Sequence, residues 1–283
     1  MPLKGDFGEL DFITFIFIMT ILETIVANKR KEVEKLKPLS SIERFEKKGF
    51  FWEVANRSLV QSLQANDSTG IIAEFKRKSP SKGWFKNKEL EVEPVVVPYN
   101  RLGAAGISVL TDDEFFGGDL DDLIQAKVVT EVPILRKDFM IDPWQVAEAK
   151  AFGADVILLI AACLSPAEVK QMAGYAKSIG LEVLLEVHNE EELDHICDEV
   201  DMVGVNNRNL KTFEVDINIS LGLINKIPTT KPAVAESGIS DVETILTLKQ
   251  AGFKGFLIGE TFMKEANPGK AFAEFVAILK AQK

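Results

Sequence analysis

From residue 71 onward, short apolar and β-branched runs alternate with longer stretches whose apolar positions fall three or four residues apart. Runs of that length, ending in charge or glycine, read as buried parallel strands, and the stretches between them as amphipathic crossover helices. The strand candidates are Ile71–Phe75, Ile107–Leu110, Pro133–Leu135, Val156–Ile160, Val183–Glu186, Met202–Val205, Ala233–Ala235 and Phe256–Ile258, eight in all. Eight such units predict an α/β fold, a closed (β/α)8 barrel. The pairs Gly103-Ala104, Gly153-Ala154 and Ala251-Gly252 suit the turn from a helix into the next strand. Pro98, inside EPVVVPYNRLG, conflicts locally and predicts a kinked or shortened first barrel helix.

Ahead of the barrel, Ile21, Leu22, Ile25, Val26, Val33 and Leu36 keep helical spacing, and Pro38 ends that helix. Ser40 or Ser41 before IERFEKKG caps a second one. The expected division is an extra segment, 1–18, then a single barrel domain, 19–283, whose N-terminal helical extension spans 19–69. Phe12–Leu22 is strongly apolar, but it falls short of the roughly 20 residues that span a bilayer. With an acidic stretch before it and no small-residue cleavage site after it, it makes a poor signal peptide. It either packs on the barrel or precedes the natural initiator, Met19.

The 283 residues, 46% hydrophobic, suffice for one large core. A net charge of −10 argues against a nucleic-acid partner, so an anionic ligand must be held by a local cluster. Cys163 and Cys197 show neither disulfide nor zinc spacing, which fits a reducing, cytoplasmic setting. A monomer without membrane attachment is expected.

Working residues of such barrels lie at the C-terminal ends of strands. Here those ends carry Glu74 and Lys76, Thr111-Asp112, Lys137-Asp138-Phe139, Glu186 and His188, Asn206-Asn207-Arg208, Glu236-Ser237-Gly238, and Gly259-Glu260. A lone charge at a strand end is more often a solvated loop residue, but so many at matching offsets are not. Gly238 and Gly259, with a helix starting near Thr261, predict a phosphate cradle of backbone N–H groups, closed by Lys76 and Ser79 of IIAEFKRKSPSKG. The run Lys76, Arg77, Lys78, Lys82, Lys86 and Lys88 is expected to form a local funnel for an anionic substrate, on a mobile loop.

The segments IAEFKRKSPSKG, SVLTDDEFFGG, PILRKDF, LLEVH, GVNNRNL, AESGI and FLIGE, in that order, resemble the indole-3-glycerol-phosphate synthase family, with a TIM barrel. The resemblance runs from about Met19 to the C-terminus; residues 1–18 and the Pro98 helix depart from it. It implies a phosphorylated small-molecule substrate, 1-(2-carboxyphenylamino)-1-deoxyribulose 5-phosphate, which closes to an indole with loss of CO2 and water, and no cofactor. It supports Glu74, Lys76, Lys137, Glu186, Asn206 and Ser237 as catalytic. Protonating the ketone oxygen during ring closure needs a cationic acid, for which Lys137 is suited. Its competing reading is a surface lysine paired with Asp138.

Lys76 is expected at the carboxylate or the phosphate, and Glu186, raised in pKa by burial, in dehydration, with Glu74 and Asn206 on the sugar hydroxyls. Which lysine supplies the dehydration proton stays open. Phe116, Phe139 and Leu210 are expected to hold the carboxyphenyl ring, with the core as the other reading of Phe116, and Arg208 to bind substrate or brace Glu236, with a structural salt bridge as its competing reading. Glu236, Gly238, Gly259, Glu260 and Ser79 complete the expected binding set. His188 has no ligand partner at metal spacing and His195 lies in an acidic helix, so no metal is expected. Two rivals stand: another phosphosugar barrel, which as an isomerase would want a Cys/Asp pair, and a barrel that binds a phosphorylated ligand without turnover.

Overall fold

The computed structural model describes residues 20–282. Expectations for residues 1–18 and for Met19 lie outside them. The strands are β1 (Ile71–Phe75), β2 (Gly106–Leu110), β3 (Ile134–Lys137), β4 (Val156–Ile160), β5 (Glu182–Val187), β6 (Met202–Asn206), β7 (Ala233–Glu236) and β8 (Gly255–Ile258). All are parallel to their neighbours, and β1 pairs with both β2 and β8, which closes the barrel. A two-residue hairpin, Lys78–Ser79 against Gly83–Trp84, stands apart in the loop after β1, where turn chemistry alone was expected.

Side chains alternate across each strand, and this period of two positions the site. In β1, Ile71, Ala73 and Phe75 join the cluster between strands and helices, whereas Ile72 joins the cluster inside the barrel. Glu74 therefore faces inward with Ile72. By the same alternation Leu135 and Lys137, Leu184 and Glu186, Met202 and Asn206, and Val234 and Glu236 point inward, each polar residue two places, or four for Asn206, above an apolar one. The lower interior is filled by these apolar residues together with Leu59 and Leu63 of α3 (Leu59–Gln64). The charged residues are left at the open top.

The N-terminal extension docks at both ends of the barrel. Helix α1 (Ile21–Leu36) begins in a capping box in which Glu23 N donates to Thr20 Oγ1 at 3.3 Å and Thr20 N donates to the Glu23 carboxylate at 2.6 Å. It ends at Leu36, and Pro38 lies in the 3-10 turn Lys37–Leu39 that follows directly. Ser41 caps α2 (Ile42–Lys48), whose Phe45 packs on Trp144. Below, the Glu182 carboxylate of β5 accepts from Leu59 N at 2.8 Å and Val60 N at 3.1 Å, fastening the start of α3.

The helix expected to be kinked or shortened by Pro98 runs through it as α4 (Glu93–Leu102). The Pro98 ring packs on Gly269 at the start of the last helix, Pro268–Ala281, where any Cβ would come within 2.8 Å of it. Next to it, Tyr99 stacks on Phe272 at 4.9 Å. The Gly103 turn that follows takes φ +99°, a left-handed cap that favours glycine.

Candidate active site

A cavity of about 740 Å3 opens at the C-terminal ends of the strands. All fifteen expected site residues reach it: Glu74, Lys76, Ser79, Phe116, Lys137 and Phe139 line its first half. Glu186, Asn206, Arg208, Leu210, Glu236 and Ser237 line the other, with Gly238, Gly259 and Glu260 at the rim. One wall was not anticipated, since Ile21, Leu22 and Ile25 of α1 complete it from the extension. Phe213 was also missed; it sits in a loop where sequence periodicity carries no signal.

At the floor, Lys137 Nζ lies 2.9 Å from Glu186 Oε2 and 2.9 Å from Glu236 Oε2. The competing partner, Asp138, is occupied elsewhere, with Thr111, Arg136 and Lys29 at 2.7, 3.1 and 3.0 Å. Burial alone would lower the Lys137 ammonium, but Glu186, Glu236 and Glu74 outweigh it and hold the proton well above the ordinary lysine range. Glu74 Oε1 receives Lys76 Nζ at 2.6 Å, a second cation and carboxylate beside the first. Gly259 carries no Cβ that would land on that Glu74 oxygen, and Gly204 makes the same room for Glu236 Oε1. Gly204 is thus a site residue that an apolar strand pattern conceals.

The two floor carboxylates differ. Burial raises both, but Glu186 accepts from Lys137, from Asn206 Nδ2 at 3.0 Å, and faces His188 Nε2 at 3.2 Å, which together hold it well below the usual carboxylate range. Glu236 has Lys137 alone, its Oε1 is without a hydrogen-bond partner, and burial with Glu186 and Glu74 nearby pushes it up to about 7. This reverses the expectation that Glu186 is the carboxyl with raised affinity for a proton. His188, expected to lack a carboxylate at ligand spacing, lies between Glu186 and Glu192. Among the described residues no group of three or more His, Cys, Asp or Glu side chains is arranged to hold a metal.

The rim opposite carries glycine and hydroxyl chemistry. Ser237 and Gly238 both take left-handed backbone, φ +65° and +76°. Buried Asn207 fixes that turn by donating to the Ser237 carbonyl at 3.1 Å, and it accepts from Ser220 N at 3.1 Å. Strain at a non-glycine residue held by such bonds is common at functional sites. Across the cavity, the Phe116 and Phe139 rings lie 5.9 Å apart, an apolar side for a flat group.

Two readings of the cations fail, the brace of Arg208 on Glu236 and the single basic funnel, while the competing salt bridge for Arg208 is present. Arg208 does not reach Glu236; it lies 3.7 Å from Glu260 and donates to the Phe213 carbonyl at 3.3 Å. The basic run is not one funnel. Arg77 is buried on Asp122 and on the carbonyls of Leu90 and Gly117, Lys78 donates to the Glu114 carbonyl, Lys86 to the Glu265 carbonyl, and Lys88 pairs with Asp113. Only Lys76 and Lys82 of the run line the cavity.

Comparison with known proteins places this geometry. The sequence profile of indole-3-glycerol phosphate synthase matches residues 22–275. An indole-3-glycerol phosphate synthase of Bacteroides thetaiotaomicron is 48% identical over 260 residues, 92% of this chain and 99% of the relative. One of Chromobacterium violaceum is 42% identical over 261 residues, 89% and 96% of the two chains. Among solved structures, a thiamine phosphate pyrophosphorylase from Pyrococcus furiosus aligns with a TM-score of 0.56 at 16% identity, over 79% of this chain and 98% of the other. An N-acetylmannosamine-6-phosphate 2-epimerase from Clostridium perfringens aligns with the same score and identity, over 79% and 97%. These two likenesses concern the fold alone.

Proposed function

The chain belongs to the indole-3-glycerol phosphate synthase family, and from that premise we propose how its strand-end residues divide the reaction. The reaction is a step of tryptophan biosynthesis: 1-(2-carboxyphenylamino)-1-deoxyribulose 5-phosphate closes to indole-3-glycerol phosphate with loss of CO2 and water. The observation that carries the assignment is Lys137, charged and held between two buried carboxylates at the cavity floor.

Ring closure joins the aromatic carbon that bears the carboxylate to the ketone carbon. As that bond forms, the ketone oxygen takes a proton from Lys137. The C–CO2 bond then breaks and its electron pair restores the aromatic ring. Lys76 balances the carboxylate until it departs, and Phe116, Phe139 and Leu210 hold the ring. Dehydration removes the new hydroxyl as water and a proton from the carbon beside nitrogen. Glu186, held ionised, is the base, and Lys76 is the acid for the leaving hydroxyl. Glu236, whose proton affinity lies near neutrality, returns a proton to Lys137. Glu74 and Asn206 orient the sugar hydroxyls, and the turns at Ser237, Gly238 and Gly259, with Ser79, receive the phosphate.

The test is to follow indole fluorescence after adding this substrate to the purified protein. Lys137→Ala is expected to lower kcat by at least about 10³-fold with KM within a few fold, since the interaction is made chiefly in the transition state. An equal loss in binding and turnover refutes that role, and substrate bound without any fluorescence favours the barrel that binds without catalysis. We assign the protein to the cytoplasm as a monomer. Free Cys163 and Cys197 support the first.

A further inference from the structure

His188 follows β5 and lies outside the cavity wall. Its side chain is only 10% exposed. Nδ1 stands 3.1 Å from Glu192 Oε2, to which the His188 backbone N also donates at 2.7 Å, and Nε2 stands 3.2 Å from Glu186 Oε1. A neutral imidazole has one N–H and one lone pair, so it would turn a lone pair toward one of two carboxylates; only the imidazolium sets positive charge against both, hydrogen-bonded to Glu192 and at ion-pair distance from Glu186.

We infer that His188 is a positioning residue for the reaction proposed above, a buried cation that fixes Glu186 from behind so that its other oxygen stays on Lys137. The inference deepens that reading and rests on it. Glu192, from the short helix Glu191–His195, anchors the ring, and Glu186 transmits its orientation to the floor. The groups that face this unit are Glu186 of β5, Lys137 of β3, Asn206 of β6, Glu236 of β7, Glu192, and Cys163 of the turn Ala161–Cys163. Burial pushes the Cys163 thiol up to about 12, so it adds no charge near neutrality; Arg30 of α1 is a further charge that acts on that thiol. Burial lowers the His188 imidazolium, but Glu186 and Glu192 outweigh it and lift it to about 10. Without that cation, Lys137 alone faces Glu186 and Glu236, and the carboxylate pair takes up a proton at higher pH.

The test is His188→Gln, which keeps an N–H near the Nε2 position and removes the charge. The expected result is a fall in kcat of about tenfold, typical of partners in one hydrogen-bond network, with KM within about twofold and the acid limb of the kcat profile moved up by about one pH unit. In a Glu186→Gln background the same change is expected to add nothing. A folded His188→Gln enzyme with unchanged kcat and acid limb, a loss confined to KM, or a full tenfold loss on top of Glu186→Gln overturns the inference. Should the Gln variant fail to fold, His188→Lys replaces it: kcat within about threefold and an unmoved acid limb support the cation, and a tenfold loss with a moved limb overturns it. If the parent forms no indole, or Glu186→Gln turns over like the parent, the reaction assignment fails instead.

Discussion

Replacing Lys29 by Met tests what holds α1 over the cavity. Lys29 Nζ lies 2.9 Å from Asp112 and 3.0 Å from Asp138, with side chains only 6%, 0% and 2% exposed. Removing one partner of a buried ion pair costs about 3–5 kcal/mol, because a charge is left uncompensated. Asp138 keeps Thr111 and Arg136, whereas Asp112 keeps only the N–H of Phe115 at 2.8 Å, so the lower end of that range applies. At 1.4 kcal/mol per tenfold, about 3 kcal/mol raises the opening equilibrium of α1 by roughly two orders of magnitude. Hydrogen exchange of the 21–36 amides should accelerate by that factor while amides of β4 and β5 hold theirs. KM should rise, since Ile21, Leu22 and Ile25 leave the cavity wall when α1 opens. Adding Asp112→Asn removes the orphaned charge and should restore most of the protection. Unchanged exchange over 21–36, or acceleration equal across the whole barrel, refutes the argument. The pH dependence has two limbs: the Asp138 carboxyl, held below its usual range, loses its contribution as pH falls through its lowered value, and Lys29, held above the lysine range, loses its own only in strong alkali.

Two further outcomes are expected. Glu236 binds a proton more tightly folded than unfolded, so its contribution to stability is full below pH 4.5 and is lost as pH rises toward about 7; urea titrations at pH 5 and 7.5 should show a smaller pH difference for Glu236→Gln than for the parent, and an equal difference refutes it. At the barrel bottom, Glu182→Ala strips the acceptor from the start of α3 and should cost about 1–2 kcal/mol, lowering Tm while kcat is kept. A loss of kcat there would mean that the bottom reaches the site.

Strand order and closure were legible because β-branched runs repeat with helix-length spacing; Ile71–Phe75 and Val156–Ile160 match the expected bounds and the other six strands differ from them by one or two residues at their ends. Those ends mattered. Lys137, Asn206 and Glu236 are last residues of strands rather than loop residues, and alternation alone turns them inward. The electrostatics were less legible, since whether a buried carboxyl keeps its charge depends on how many donors reach it from other strands. That count makes Glu186 and Glu236 unlike, though their local sequences, LLEV and AVAE, are alike. Arg77 shows the same limit: a basic run looks uniform until Asp122, 45 positions away, takes one member into the core.

The inward residues at the top of β2 and β4, Leu110 and Ile160, stand beside Lys137 and Glu186 in register, yet they are apolar. Proton chemistry is therefore assigned to some staves of the barrel and shape to others. Because each stave contributes its own inward residue, a change of size at Leu110 or Ile160 reshapes the cavity wall and leaves every titrating side chain in place. The form of the cavity and its proton chemistry are thus carried by different staves.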